Sequence, residues 1–219
     1  ALPIYVMERT HLALATFKGM KISFISGKDP KLLYEEVQMV KPTILMFAPR
    51  VLVNFHQMII NESLKYSNDE KELFNNALSI KRENYLSDCS IINKQYDSLV
   101  FNKIRSKLGG NLKVILSGSA PLPKDISRDI KLFLSIPIIE GYGLTELHGA
   151  SNTTSVKDFS NKNVGAVSRF LKFKLVDVPE MSYTSQSKVD GLPAPSGEIC
   201  FKGPALFAGY FRNKAKTDE

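Results

Sequence analysis

The sequence predicts an α/β fold, a mostly parallel sheet with flanking helices joined to a β-rich subdomain, and three observations carry that reading. Short apolar β-type runs alternate with helical segments at βαβ spacing through the first half of the chain. Two later runs lead into glycine-rich stretches, "SGSAPLP" (Ser117–Pro123) and "GYGLTELHG" (Gly141–Gly149). After Ala150 serine, threonine, asparagine and glycine become frequent, and the remaining apolar runs are short and β-like. The boundary this predicts separates an α/β subdomain, residues 1–150, from a β-rich one, residues 151–219.

In chain order, "KISFIS" (Lys21–Ser26) reads as a strand. "PKLLYEEVQMVK" (Pro30–Lys41) reads as a helix, with Asp29 as N-cap and proline at the first helical position. "TILMF" (Thr43–Phe47) is a second buried strand. A broad apolar stripe (Val51, Leu52, Phe55, Met58, Ile59, Leu64) makes Pro49–Tyr66 helical. "SNDE" (Ser67–Glu70) is a start signal for a helix over Lys71–Glu83. Another helix over Lys94–Leu108 is stopped by Gly109-Gly110, since glycine accepts the left-handed conformation. A second βαβ unit follows: strand Asn111–Gly118, helix Pro123–Ser135, strand Ile136–Gly141. "LKFKLVDV" (Leu171–Val178) and "GEICFKG" (Gly197–Gly203) are the strands of the β-rich part, separated by a polar, turn-rich loop.

Composition narrows the function classes. The chain has 219 residues, 43% hydrophobic and 23% charged, with a formal net charge of +7. No run approaches the roughly 18–20 apolar residues of a membrane span, and "ALPIYVMERT" lacks the basic and apolar regions of a secretory leader. The basic residues are dispersed and not interleaved with aromatics, so a solvated surface is expected and no nucleic-acid partner. Cys89 and Cys200 show no metal-ligand or CxxC spacing and read as reduced thiols of a cytoplasmic protein. Peripheral membrane association stays open, because the Pro49–Tyr66 stripe suits a core, a dimer contact or a bilayer surface.

In open parallel sheets, ligands bind beyond the carboxyl ends of the strands. Two adjacent strands ending in "SGSAPLP" and "GYGLTELHG" therefore point to a shared ligand crevice. Gly118 and Ala120 leave room for a flat group to approach backbone. Tyr142 offers an aromatic face, which Gly141 and Gly143 free from crowding. Thr145 offers a hydroxyl to a phosphate oxygen, and Glu146 a carboxylate to Mg²⁺, which favours one or two carboxylates plus phosphates and water. Taken singly, each has an ordinary reading as a turn, a strand–helix connection or a solvated edge. Together they suit a purine nucleotide with its metal. His148 reads as a polar loop residue, and His11 and His56 as structural or exposed.

At these residues the chain resembles the adenylate-forming superfamily, and within it the long-chain acyl-CoA synthetases. "GYGLTE" (Gly141–Glu146) is similar to the family's adenylate-binding signature and "SGSAPL" (Ser117–Leu122) to its preceding strand-end motif. "KPTILMFAPRVL" (Lys41–Leu52), "SLVFNKIRSKLGGNLKVILSGSAPLP" (Ser98–Pro123), "KLVDVPEMSY" (Lys174–Tyr183) and "GEICFKGPALFAGYFRNKAKT" (Gly197–Thr217) resemble the long-chain group in the same order. The resemblance implies the partial N-terminal domain of an AMP-forming ligase, with ATP, Mg²⁺, CoA and a long-chain fatty acid as ligands. It implies that Glu146 holds Mg²⁺, Thr145 contacts the α-phosphate, and Tyr142 stacks on adenine between Gly141 and Gly143. Gly118, Ser119 and Ala120 would border the adenine and the acyl channel. The family's phosphate loop, ribose-binding aspartate and C-terminal catalytic lysine are not matched here, so the chain alone is expected to be inactive. "LPIYVMER" (Leu2–Arg9) departs from the family in lacking a histidine near Tyr5 and Val6, and Val167 stands where the family often has proline. The rival readings are an acyl-AMP ligase feeding a carrier protein and a non-catalytic module that holds acyl-adenylate or acyl-CoA.

Overall fold

The computed structural model describes residues 6–26 and 30–219. Tyr5, Gly27, the predicted cap Asp29 and the side chain of Val6 lie outside the described residues. The chain divides into two compact units, Ala1–Tyr142 with Thr153–Gly165, and Gly143–Asn152 with Ala166–Glu219.

The first unit begins with helices α1 (Val6–Lys18) and α2 (Pro30–Val40). Between them Lys21–Ser26, expected as a strand, is irregular and exposed, with Phe24 77% exposed. An apolar run becomes a strand only where a neighbouring backbone meets its amides; here the Ser26 amide donates to the Glu36 carboxylate instead, at 3.1 Å. Strand β1 (Ile44–Met46) leads into α3 (Pro49–Ser63), which starts on proline and buries Leu52, Phe55 and Ile59. Leu52, Phe55 and Ile59 of the stripe thus belong to the core, while Leu64, past the helix end, is exposed. Among the described residues, no helix is long and apolar enough to cross a membrane.

Helix α4 (Asn68–Asp88) is longer than the pattern suggests because Ser67 caps it. The Glu70 amide donates to Ser67 Oγ at 3.3 Å, and the Ser67 amide donates back to the Glu70 carboxylate at 3.1 Å. This reciprocal box satisfies donors that a helix start otherwise leaves open. Residues 94–106 are helical in three pieces: α5 (Lys94–Tyr96), a π-helical turn (Asp97–Phe101) and α6 (Asn102–Ser106). Gly109 then takes φ +81°, and a Cβ there would lie 2.6 Å from the Cα of Lys41. Glycine is required twice over, by conformation and by this backbone contact.

Strand β2 (Val114–Gly118), helix α7 (Lys124–Leu134) and strand β3 (Ile138–Leu144) complete the unit's sheet, β3 passing into the second unit after Tyr142. β1 pairs parallel with β2, and β2 parallel with β3. Phe74, Phe101 and Phe133 meet pairwise with ring centroids 6.1 Å apart and are almost wholly buried. Such ring packing, tilted in two pairs and stacked in the third, joins α4, the π-helical turn and α7 in one core.

Two polar clusters thread that core. Lys81, on α4 and 1% exposed, donates from Nζ to Asp97 Oδ1 and to the Leu132 carbonyl, each at 2.5 Å, and to Ser135 Oγ at 2.9 Å. Asp97 also accepts from Ser135 Oγ at 2.8 Å and from the Asn93 amide at 3.1 Å. On the neighbouring face of α7, Asp129 accepts from Arg82 Nε at 3.1 Å and Arg128 Nε at 2.9 Å, and lies 3.4 Å from His56 Nε2. Residues 154–163 carry no regular structure but are tied down: Tyr85 Oη donates to the Phe159 carbonyl, Lys131 Nζ to Asn161 Oδ1, and Asn161 Nδ2 to the Lys124 carbonyl at 3.2 Å.

The second unit takes in β4 (Gly149–Thr153) up to Asn152, then β5 (Ala166–Val167), β6 (Lys172–Val176), a 3₁₀ turn at Pro179–Met181, β7 (Lys188–Val189), β8 (Leu192–Pro193), β9 (Glu198–Lys202) and α8 (Lys214–Asp218). β6 and β9 pair antiparallel, setting Phe173 opposite Phe201 and Leu175 opposite Ile199 on one apolar face.

Two stability experiments follow from the buried clusters. Lys81→Met leaves the Asp97 carboxylate buried without its cation and is expected to lower stability by about 3–5 kcal/mol in urea unfolding. A second change, Asp97→Leu, should recover most of that loss. For Asp129, burial pushes the carboxyl up, but His56, Arg82 and Arg128 outweigh it and hold the group well below the usual carboxylate range. A folded-state pKa below the unfolded one contributes stability that is complete above about pH 4 and lost as pH falls further. Asp129→Asn should therefore be less stable at neutral pH, with a flatter decline on the acid side in pH-dependent melting.

Candidate functional site

The ends of β2 and β3 carry the first of the candidate residues. Ile115 and Ile138, opposite each other, are 0% and 1% exposed and fix the pairing of the two strands. Continued along the ladder, that register sets Ser117 opposite Glu140 and Gly118 opposite Gly141. The chain leaves β2 through Ser119, at φ +73°, and Ala120, both exposed. It is pinned again by the buried Leu122 before α7 starts. The end of β2 at Gly118 thus stands beside Gly141, where the second glycine-rich stretch starts within β3.

One residue before Gly141 sits a carboxylate that the sequence reading did not single out. Glu140 is half-buried, and burial pushes its carboxyl up, against the hydrogen bond donated by Ser127 Oγ at 3.2 Å and the charge of Lys131. Across the ladder, the Ser117 hydroxyl is buried and has no hydrogen-bond partner among the described residues. The sequence signal was a lone charge inside the apolar run "IPIIEG".

The "GYGL" stretch, expected to be a loop, continues β3 to Leu144. Its backbone has partners that sequence could not reveal. The Thr154 amide donates to the Glu140 carbonyl and the Glu140 amide to Thr154 Oγ1, each at 2.9 Å. At Gly143 a Cβ would lie 2.1 Å from the Gly149 carbonyl oxygen and 2.7 Å from the Ala150 Cα. This glycine is demanded by close backbone approach, a stronger constraint than room for the Tyr142 ring. Tyr142 itself is half-buried.

Thr145 and Glu146 fold with the second unit, in a single 3₁₀ turn, Thr145–Leu147, anchored by the buried Leu147 and closed by His148 at φ +55°. Thr145 is exposed. Three bonds from residues 205–210 hold the turn. Tyr210 Oη donates to Glu146 Oε1 at 2.7 Å, the Phe207 amide donates to the Glu146 carbonyl at 2.8 Å, and His148 Nδ1 lies 2.8 Å from the Ala205 carbonyl. The Tyr210 hydrogen bond holds the Glu146 carboxyl below the usual range, and the same bond pushes the Tyr210 hydroxyl up. Tyr210 is the side chain that sequence reasoning missed here, although its segment, "GPALFAGYF", was marked as family-like.

The candidate residues accordingly fall in two groups. Gly118, Ser119, Ala120, Gly141 and Tyr142 belong to the first unit, and Gly143, Thr145 and Glu146 to the second. Among the described residues no three His, Cys, Asp or Glu side chains gather as a metal cage. Cys89 and Cys200 are both free thiols.

The family described as AMP-binding enzyme matches residues 1–211. Long chain acyl-CoA synthetase 6, peroxisomal, of Arabidopsis thaliana is 35% identical over 98% of the chain, and fatty acyl-CoA synthetase A of Dictyostelium discoideum 37% identical over 97%. The chain spans 30% and 31% of the length of these two relatives. Among solved structures, the A domain of carboxylic acid reductase from Segniliparus rugosus, in complex with AMP and a co-purified carboxylic acid, superposes with a TM-score of 0.67 at 24% identity, covering 98% of this chain and 28% of that one. With the family matched over nearly its whole length, this chain belongs to the AMP-binding enzymes.

Proposed function

We propose that this chain carries the adenylate-handling segment of an ATP-dependent long-chain fatty acid:CoA ligase. The observation that carries the reading is the register of β2 and β3. It brings Gly118, the last residue of β2, side by side with Gly141, the first of "GYGLTE", at the carboxyl end of β2, where a parallel sheet receives its ligand. The two relatives named as acyl-CoA synthetases, alike over nearly the whole chain, support the substrate class.

In this reading the fatty acid carboxylate oxygen attacks the α-phosphorus of ATP and pyrophosphate leaves, giving acyl-AMP. The CoA sulfur then attacks the acyl carbon and AMP leaves. Tyr142 stacks on adenine beside Gly141 and Gly143, while Gly118, Ser119 and Ala120 border the base and the acyl group. The Thr145 hydroxyl, exposed at the start of its turn, donates to the α-phosphate. Glu146 holds Mg²⁺, which when bound to the nucleotide neutralises the charge that develops on its phosphates. The donor set fits that metal. Mg²⁺ keeps several waters and asks for one or two carboxylates plus phosphates. A single carboxylate with one oxygen held at 2.7 Å by Tyr210 meets that need without a three-ligand cage.

The decisive test is fatty-acid-dependent ATP–pyrophosphate exchange by the full-length protein across a series of acyl chain lengths, with Glu146→Gln alongside. Exchange should need a long-chain acid and fall by about 10²-fold or more in the variant. A folded, Mg²⁺-supplied protein without exchange would sink the ligase reading in favour of a non-catalytic adenylate-binding module.

A further inference from the structure

We infer that Tyr210 is a positioning residue, the group that aims the Glu146 carboxylate at its metal. This rests on the reading above that Glu146 is the metal carboxylate. Glu146 sits on a short 3₁₀ turn at the surface of its unit, where a glutamate side chain is free to sample several rotamers. Residues 207–210 remove that freedom by gripping Glu146 at both ends. The Phe207 amide holds its carbonyl at 2.8 Å, and Tyr210 Oη holds Oε1 at 2.7 Å.

The Tyr210 hydroxyl is itself fixed independently of the carboxylate. Its ring packs edge-on against Phe207 with centroids 4.8 Å apart, its amide donates to Thr217 Oγ1 at 2.9 Å, and Lys216 Nζ lies 4.9 Å from the ring centroid. The choice of donor also fits the task. A neutral hydroxyl occupies one carboxylate oxygen and leaves the other to a cation, whereas an ammonium or guanidinium at the same place would cancel the charge that attracts the metal. Outer hydrogen bonds of this kind orient metal-binding carboxylates, and removing them weakens metal affinity about 10–100-fold.

Tyr210→Phe keeps the ring and its packing and deletes only the hydroxyl. In the full-length protein, ATP binding is measured by a fluorescent ATP analogue as Mg²⁺ is titrated, together with pyrophosphate exchange and the melting temperature. The expected result is an Mg²⁺ requirement raised about tenfold, with Mg²⁺-free nucleotide binding and melting temperature unchanged, and exchange recovered at high Mg²⁺. A wild-type Mg²⁺ requirement in Tyr210→Phe, while Glu146→Gln abolishes the Mg²⁺ dependence, overturns the positioning role and leaves the metal reading intact. Loss of Mg²⁺-free nucleotide binding in Tyr210→Phe also overturns it, because the hydroxyl would then serve the fold. If Glu146→Gln itself titrates like wild type, the metal reading fails and the role of Tyr210 falls with it.

Discussion

Lys81 ties three separate parts of the first unit to helix α4. Its ammonium reaches a carboxylate on the π-helical turn, a carbonyl near the end of α7 and the hydroxyl of Ser135, just before the chain enters β3. Burial lowers the pKa of a lysine, and Asp97 opposes that effect by bonding the charged form. A wholly apolar replacement could fill the same space, but nothing apolar would tell α7 where to stop. The buried Phe101 ring covers the cluster, its centroid 4.7 Å from Lys81 Nζ. The cation thereby ties the end of α7 and the approach to β3 to the π-helical turn, and β3 starts from that anchored stretch.

The alignment of Gly118 with Gly141 is inherited from the core. Gly118 stands beside Gly141 because Ile115 stands beside Ile138, three positions earlier on each strand. Slipping the pairing by one residue would turn a core isoleucine to the opposite face of the sheet. The geometry offered to a ligand is thus a by-product of hydrophobic register, and the glycines themselves contribute only the room to approach. The acidic turn in the second unit is held by different means, hydrogen bonds from one short aromatic segment.

Periodicity and end signals made most of the first unit legible. The capping box at Ser67, the proline at the start of α3 and the Gly109-Gly110 stop were local, and local chemistry is what sequence displays. The failures share one cause. Lys21–Ser26 looks like a strand, and "GYGL" looks like a loop, yet what decides each lies outside the segment. The Ser26 amide bonds the Glu36 side chain, and the backbone of Gly149 and Ala150 closes on Gly143. No pattern within either segment announces whether that partner is present. Tyr210 was invisible for the same reason, since its bond to Glu146 joins residues 64 positions apart. Glu140 was at least detectable as a charge in an apolar run.

The irregular segment 154–163 has a consequence for how such chains can change. Unstructured connections ordinarily accept inserted residues at little entropic expense, because closure depends only weakly on loop length. Here Tyr85, Lys131 and Asn161 fasten the path to the helices beneath it at several points. An extra residue would have to break one of those attachments or bulge away between them. The polar stretch around Thr184–Ser196 is held mainly by hydrogen bonds within itself, such as Ala194 to Ser187 and Ser196 to Thr184. Length variation among related chains is accordingly expected to collect in the latter loop, while the former keeps its residue count although it has no helix or strand to protect.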